Sequence, residues 1–337
     1  MENIHQLCLG ADISNKTIDF VLLKKDEDKI TFSKTIANIS GKLRDLIKQL
    51  VKTHGSVFVV MEATGNYHKK LVAELVAADV PFAVINPLVS RRYAQMKMLR
   101  TKTDKIDAYT LALFAIEQKP RAFIVPSKEQ AKLRDIITVR SQLTKQKTQN
   151  KNLLHSQLIL PDVNNAMIKS IKKIISTIDK EIKQIEKIID EILDKNYSQL
   201  YKQVISIKGI GKKTAQATVA YVGSLENFNS YKQLSAFIGI NPKTESSGTS
   251  LKKQKGLGKQ GNKLLRSLFY MSAMSAIKSN RTCKGLYIRL LQKGKSKMSA
   301  LIAVANKLVK QLFAIVKNNR TFSDDYIHPK YALNFNR

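Results

Sequence analysis

The chain has 337 residues, 43% of them hydrophobic, which is room for two or three domains. Its 58 Lys and Arg against 26 Asp and Glu give a formal net charge of +32, the footprint of a polyanionic partner. No run reads as long enough to span a bilayer, and the start MENIHQ has no basic-then-apolar leader. Two distant cysteines, Cys8 and Cys283, exclude a disulfide framework or a zinc site and place the protein in a reducing cytoplasm.

Residues 5–117 alternate strand and helix. LCLGADIS, TIDFVLLK and KITFSKT read as three short strands in succession. GKLRDLIKQLVKTHG reads as a helix, SVFVVME as a strand, YHKKLVAELVAAD as a helix and PFAVI as a strand. A further helix covers KTDKIDAYTLALFA. Three strands followed by alternating helix and strand predict a mixed sheet flanked by helices. Four acids stand out in this basic chain. Asp12 and Glu62 end apolar strands, while Asp104 and Asp107 lie three apart and share one helix face. Such acids repel one another unless a cation neutralises them, and hard divalent cations prefer oxygen ligands. Singly, Asp12, Asp104 and Asp107 have plainer readings as a turn former, a helix cap and a first-turn acid, but a lone Glu62 at the end of a buried strand is costly unless paired or metal-bound. Together they point to metal-assisted phosphodiester chemistry.

Pro120 and Pro126 mark a linker, and residues 128 to about 159 lack Gly and Pro and read as helical. After the break at Pro161 come Ile168, Ile171, Ile175, Ile178, Ile182, Ile185, Ile189 and Ile192, in alternating steps of three and four. That heptad seam reads as a coiled coil, either an antiparallel hairpin with the preceding helix or an oligomer contact. Docking on the core of its own domain is the alternative. In ISIKGIGKKTAQATVAYVGS, a Gly-Ile-Gly turn between two helices resembles a helix-hairpin-helix motif. Lys208, Gly209, Gly211, Lys212 and Lys213 would there hold a phosphate backbone; a plain glycine-capped turn is the alternative.

Basicity is concentrated late in the chain. Residues 201–337 hold 25 Lys and Arg against 4 acids, and residues 1–200 hold 33 against 22. A hydroxyl-rich loop, Ser246 to Ser250, precedes Lys252, Lys253, Lys255 and Lys259, with Lys263 and Arg266 in the next helix as candidate phosphate clamps. A serine nucleophile needs a base, a metal or positive charge nearby. The five histidines show no metal-ligand spacing, Tyr67 reads as a helix-packing residue, and the Gly-Lys repeats at 255–259 lack the Walker pattern.

The segments GADIS at 10–14, MEATGNYHKKL at 61–71, VINPLVSRRYAQ at 84–95 and RTKTDKIDAYTLALFA at 100–115 closely resemble the DEDD transposases of bacterial insertion sequences, the IS110 family. The piv-type DNA invertases are near relatives of that family. The resemblance continues through residues 235–276 and covers most of the chain in matching order. It implies an RNase H-like domain of RuvC type over 1–125, a helical coiled-coil segment over 126–198 and a mainly helical transposase domain over 199–330. It implies Asp12, Glu62, Asp104 and Asp107 as ligands of Mg²⁺ or Mn²⁺. Ser247, of the Ser-Gly pair, would be the nucleophile, with Ser246 its rival. Donor and target DNA would be partners, together with a structured guide RNA and further copies of the chain as a dimer or tetramer. The setting would be a bacterial nucleoid. Two other activities stay open on the residues alone: a RuvC-like nuclease or junction resolvase using water, and a non-catalytic DNA-binding protein.

Overall fold

Strands with apolar residues on both faces need cover on both sides. The computed structural model supplies that cover, and describes residues 5–27, 29–98, 103–226, 228–247, 251–258 and 260–324, with backbone alone for 242–247 and 251–257. The chain divides into two compact units, Met1–Val125 and Pro126–Arg337.

The first unit runs β1 (Leu7–Ile13), β2 (Thr17–Lys24), β3 (Ile30–Ala37), α1 (Ser40–His54), β4 (Phe58–Glu62), α2 (Lys69–Ala77), β5 (Phe82–Ile85), α3 (Pro87–Met96) and α4 (Asp104–Gln118). The sheet order is β3-β2-β1-β4-β5. The first three strands are antiparallel, whereas β1, β4 and β5 are parallel. Successive side chains leave a strand on opposite faces, and the clusters divide accordingly. Leu9, Ala11, Ile18, Phe20, Val59 and Met61 pack with Leu43, Leu46, Ile47, Leu71 and Leu75 of α1 and α2. On the other face, Cys8, Phe58, Val60 and Ala83 meet Leu111 and Ala115 of α4, and Val21 and Leu23 meet Ala108 and Ala112.

Two features of this unit escape the pattern-based reading. Residues 87–96, left there without an element, form α3; Pro87 stands in its first turn and the Asn86 side chain accepts from the Leu88 amide at 2.9 Å. Gly10 lies where α4 crosses β1. A Cβ there would stand 1.9 Å from the Ala108 carbonyl oxygen and 2.6 Å from the Ala112 nitrogen. Glycine is therefore what lets α4 lie against the strand.

The second unit is helical apart from one hairpin: α5 (Lys128–Leu158), α6 (Asn165–Asn196), α7 (Ser198–Ile205), α8 (Lys212–Val222), α9 (Tyr231–Ile238), β6 (Pro242–Ser247), β7 (Leu251–Leu257), α10 (Lys263–Ser279), α11 (Arg281–Gln292) and α12 (Lys297–Lys317). Helices α5 and α6 pack on each other, antiparallel, since a short connection joins them and Lys147 pairs with Asp179. Ile168, Ile171, Ile182 and Ile189 of the seam are buried, while Ile174 and Ile188, off the seam, are exposed. At the base of this pair, Leu133, Ile137, Ile189 and Leu193 join one core with residues of α8, α9, α10 and α12.

Helix α12 corrects the statement that no run is long enough for a bilayer. Its 21 residues pass on length and composition, but Ala300, Val304, Ala305, Leu308, Val309 and Leu312 are buried in the core of the unit. A helix that is apolar over a wide arc belongs inside a fold.

Candidate active site

Asp12 lies on β1 two residues after Gly10, so it shares the α4 face of the sheet; Glu62 shares that face with Phe58 and Val60 of β4. Because β1 and β4 are parallel neighbours, with Ala11 opposite Met61, both acids sit at the carboxyl ends of adjacent strands. That edge is where open α/β sheets bind their ligands. Thr103 caps α4, its hydroxyl accepting from the Ile106 amide, and Asp104 and Asp107 occupy the first turn. The Gly10 crossing sets that turn beside the strand ends.

Asp12, Glu62 and Asp107 line one cleft of about 590 Å³, together with Pro87, Ser90, Arg91, Ala94, Gln95, Ile106, Thr110 and Leu111. Asp104 is not among the lining residues, yet its charge reaches Asp12. Burial, and then the charges of Asp107, Asp104, Glu62 and Asp19, push the Asp12 carboxyl up to about 6. Asp19 is a fifth acid, 8% exposed, directly opposite Asp12 on β2 and bonded by the Thr35 hydroxyl.

Among the described residues, no hydrogen bond or ion pair reaches the Asp12 carboxylate. A partly buried carboxylate ringed by others, with no ion pair of its own among the described residues, is a site that a divalent ion would relieve. The donors are all carboxylate oxygens, as Mg²⁺ and Mn²⁺ prefer. The side chains are not drawn into a ligand shell: among the described residues no three His, Cys, Asp or Glu are close enough to hold an ion as they stand. The donor chemistry of the cleft fits a hard cation.

The pattern-based reading missed Ser90, Arg91, Gln95 and Thr110. The signal for the first three was the Asn-Pro pair at 86–87, which starts a helix next to the strand that ends in Glu62; Thr110 lies one turn beyond Asp107 on α4. Arg91 is exposed and has no ion-pair partner among the described residues. Thr110 bonds back to the Ile106 carbonyl at 2.7 Å. Tyr67 lies in the turn before α2 and is 48% exposed.

In the second unit, Gly209 takes φ 102° between α7 and α8, and a Cβ there would stand 2.7 Å from the Ala276 Cα. It serves close packing on α10 as well as the turn. Gly211 caps α8 and has open space around it. Lys208 pairs with Asp324, and Lys212 pairs with Asp190 at 2.6 Å. Lys213 is exposed without an ion-pair partner among the described residues. Exposed pairs of this kind are weak and exchange readily for another anion.

The backbone places Ser246 opposite Lys252 and Ser247 opposite Leu251 in the β6–β7 hairpin, with Lys253 and Lys255 further along β7. Lys259 lies outside the described residues. Lys263 opens α10 and is exposed. Arg266 braces the base of the hairpin, its Nη1 donating to the Gln260 carbonyl at 2.8 Å, where Gly239 and Gly261 meet closely.

Family profiles agree with one another over both units. Residues 9–160 match the DEDD transposase profile of the IS110 type, described as a transposase, and residues 201–287 match a profile described as a transposase of the IS116/IS110/IS902 family. The chain is 30% identical over 328 residues to the pilin gene-inverting protein of Moraxella lacunata, covering 95% of this chain and 98% of that protein. It is 25% identical over 292 residues to the transposase for insertion sequence element IS1111A of Coxiella burnetii, covering 78% and 79%. Among solved structures, T. thermophilus RuvC in complex with a Holliday junction substrate aligns whole with 35% of this chain, at TM-score 0.29 and 10% identity.

Proposed function

The chain belongs to the IS110 family of DEDD transposases, and from that premise we propose that it cuts and rejoins DNA through a metal-bound carboxylate cleft and a serine nucleophile. The observation that carries the proposal is the cleft itself, with Asp12, Glu62 and Asp107 in its lining and Asp104 within electrostatic reach. Divalent ions held by these acids would neutralise charge that develops on the scissile phosphate. The first unit is then an RNase H-like domain of RuvC type, a reading supported by the β3-β2-β1-β4-β5 order and by acids at the ends of adjacent parallel strands.

Ser247 supplies the attacking oxygen. Its Oγ–P bond forms as the bond from phosphorus to the 3′ oxygen breaks, and the released strand end takes a proton. One phosphoester replaces another, so the bond energy is kept for rejoining. The lysines of β7, with Lys259, Lys263 and Lys213, surround the DNA backbone with positive charge, and Arg266 holds the hairpin in place. The partners are donor and target DNA, a guide RNA from the element and further copies of the chain. The domains are 1–125, 126–198 and 199–330, and the protein acts at the bacterial nucleoid. A RuvC-like nuclease that uses water shares the same cleft but makes no protein–DNA bond.

A trapping experiment separates the two. Full-length protein, Mg²⁺, the element's noncoding-end RNA and DNA carrying the element's ends should yield a covalent protein–DNA species that Ser247→Ala abolishes without loss of DNA binding. An adduct that persists in Ser247→Ala moves the nucleophile, to Ser246 first. Efficient cleavage with no adduct from the native protein favours the nuclease.

A further inference from the structure

The turn from β5 into α3 carries more than a connection. Ile85 pairs with Glu62 in the sheet, so whatever follows Ile85 must begin beside the Glu62 side chain. Asn86 and Pro87 start α3 there, and the fourth residue of the chain after Asn86 is Ser90, which is 9% exposed and lines the acidic cleft. Its hydroxyl lies 2.6 Å from Glu62 Oε2 and 3.0 Å from the Pro87 carbonyl oxygen. One hydroxyl has one proton. The shorter, charge-assisted contact to the carboxylate takes it, and the carbonyl contact is secondary.

Glu62 Oε1, by contrast, has no hydrogen bond among the described residues. One oxygen of this carboxylate is held by the protein and the other is left to the cleft. Glutamate has three side-chain torsions, so a cleft-lining glutamate without such a tether samples several positions. We infer that Ser90 is a positioning residue for the cleft, a buried hydroxyl that holds Glu62 so that its second oxygen stays available to a divalent cation. This rests on the metal reading proposed above. Partners of ligating carboxylates typically matter by about 10–100-fold in metal affinity, which sets the scale expected here.

The test is Mn²⁺ binding to full-length protein without DNA, followed by the electron paramagnetic resonance signal of free Mn²⁺ during titration. Ser90→Ala should weaken Mn²⁺ binding at least tenfold, Ser90→Thr should restore most of it, and Glu62→Gln should weaken it at least as much as Ser90→Ala. Thermal melting without metal should stay near the native value in both Ser90 variants and should not fall below it in Glu62→Gln, which removes one charge from the acidic cluster. Native affinity in Ser90→Ala alongside a loss in Glu62→Gln overturns the positioning role and leaves the metal cleft standing. Equal losses in Ser90→Ala and Ser90→Thr mark a packing role and overturn it as well. Native affinity in Glu62→Gln overturns the metal reading, and the role of Ser90 falls with it.

Discussion

Asp12 illustrates what the cleft costs the metal-free protein. Its carboxyl is raised from 3.8 to about 6 by burial and by four neighbouring acids. A raised carboxyl means that the folded state holds its proton more tightly than the unfolded chain does. Stability therefore falls as pH rises from about 4 to about 6, and stays at the lower value above that window. Asp12→Asn removes the penalty. At pH 7.5 without metal it should melt higher than the native protein, by an amount of order 1 kcal/mol once solvent screening at this half-open site is allowed for. At pH 3.5 the two should melt alike. Calorimetric melts across that range check this, and an Asp12→Asn protein that melts lower at pH 7.5 contradicts it. Gly10 acts on the same carboxylates through shape. Its absent Cβ would overlap the backbone of α4, so Gly10→Ala should lift that helix and cost about 1–3 kcal/mol, measurable by urea unfolding.

At the scale of elements, the α5–α6 hairpin is joined to α8 by a polar chain that is buried at one end and exposed at the other. Arg140, nearly fully buried, donates to Gln216, whose amide donates to Asp190 at 3.1 Å; Asp190 in turn accepts from Lys212 at 2.6 Å. Removing the guanidinium strands the Gln216 carbonyl oxygen. Arg140→Met should cost about 1–3 kcal/mol, read by urea unfolding, and an unchanged midpoint contradicts the account. The seam isoleucines were legible because a 3–4 spacing needs only sequence periodicity. The acid partners of Lys208 and Lys212 were not: Asp324 and Asp190 are 116 and 22 residues away, and no local pattern announces such a pair. The acids at the ends of β1 and β4 were legible because a charge closing an apolar strand is conspicuous. Ser90 was not, since a serine inside a helix is ordinary until the neighbouring strand is known. Gly10 had a signal that went unread, a glycine inside a strand that marks close approach by another backbone.

For the whole molecule, the hairpin ends in a cluster of exposed apolar residues: Leu153, Leu158, Ile159, Leu160 and Val163. A tip of this kind is suited to association with further copies. Ile159→Asp together with Leu160→Asp should lower the mass seen by light scattering and leave the melting temperature unchanged, because these side chains are already exposed. An unchanged mass places any assembly contact elsewhere. Four carboxylates on the first unit are proposed to make a divalent-metal site for DNA strand cleavage. The direct measurement is cleavage of supercoiled plasmid carrying the element's ends, in the presence of the element's noncoding-end RNA, with native protein and Asp12→Asn, in Mg²⁺ and in EDTA. Cleavage by the native protein in Mg²⁺ alone is the predicted result. Cleavage in EDTA, or by Asp12→Asn at the native rate, contradicts it.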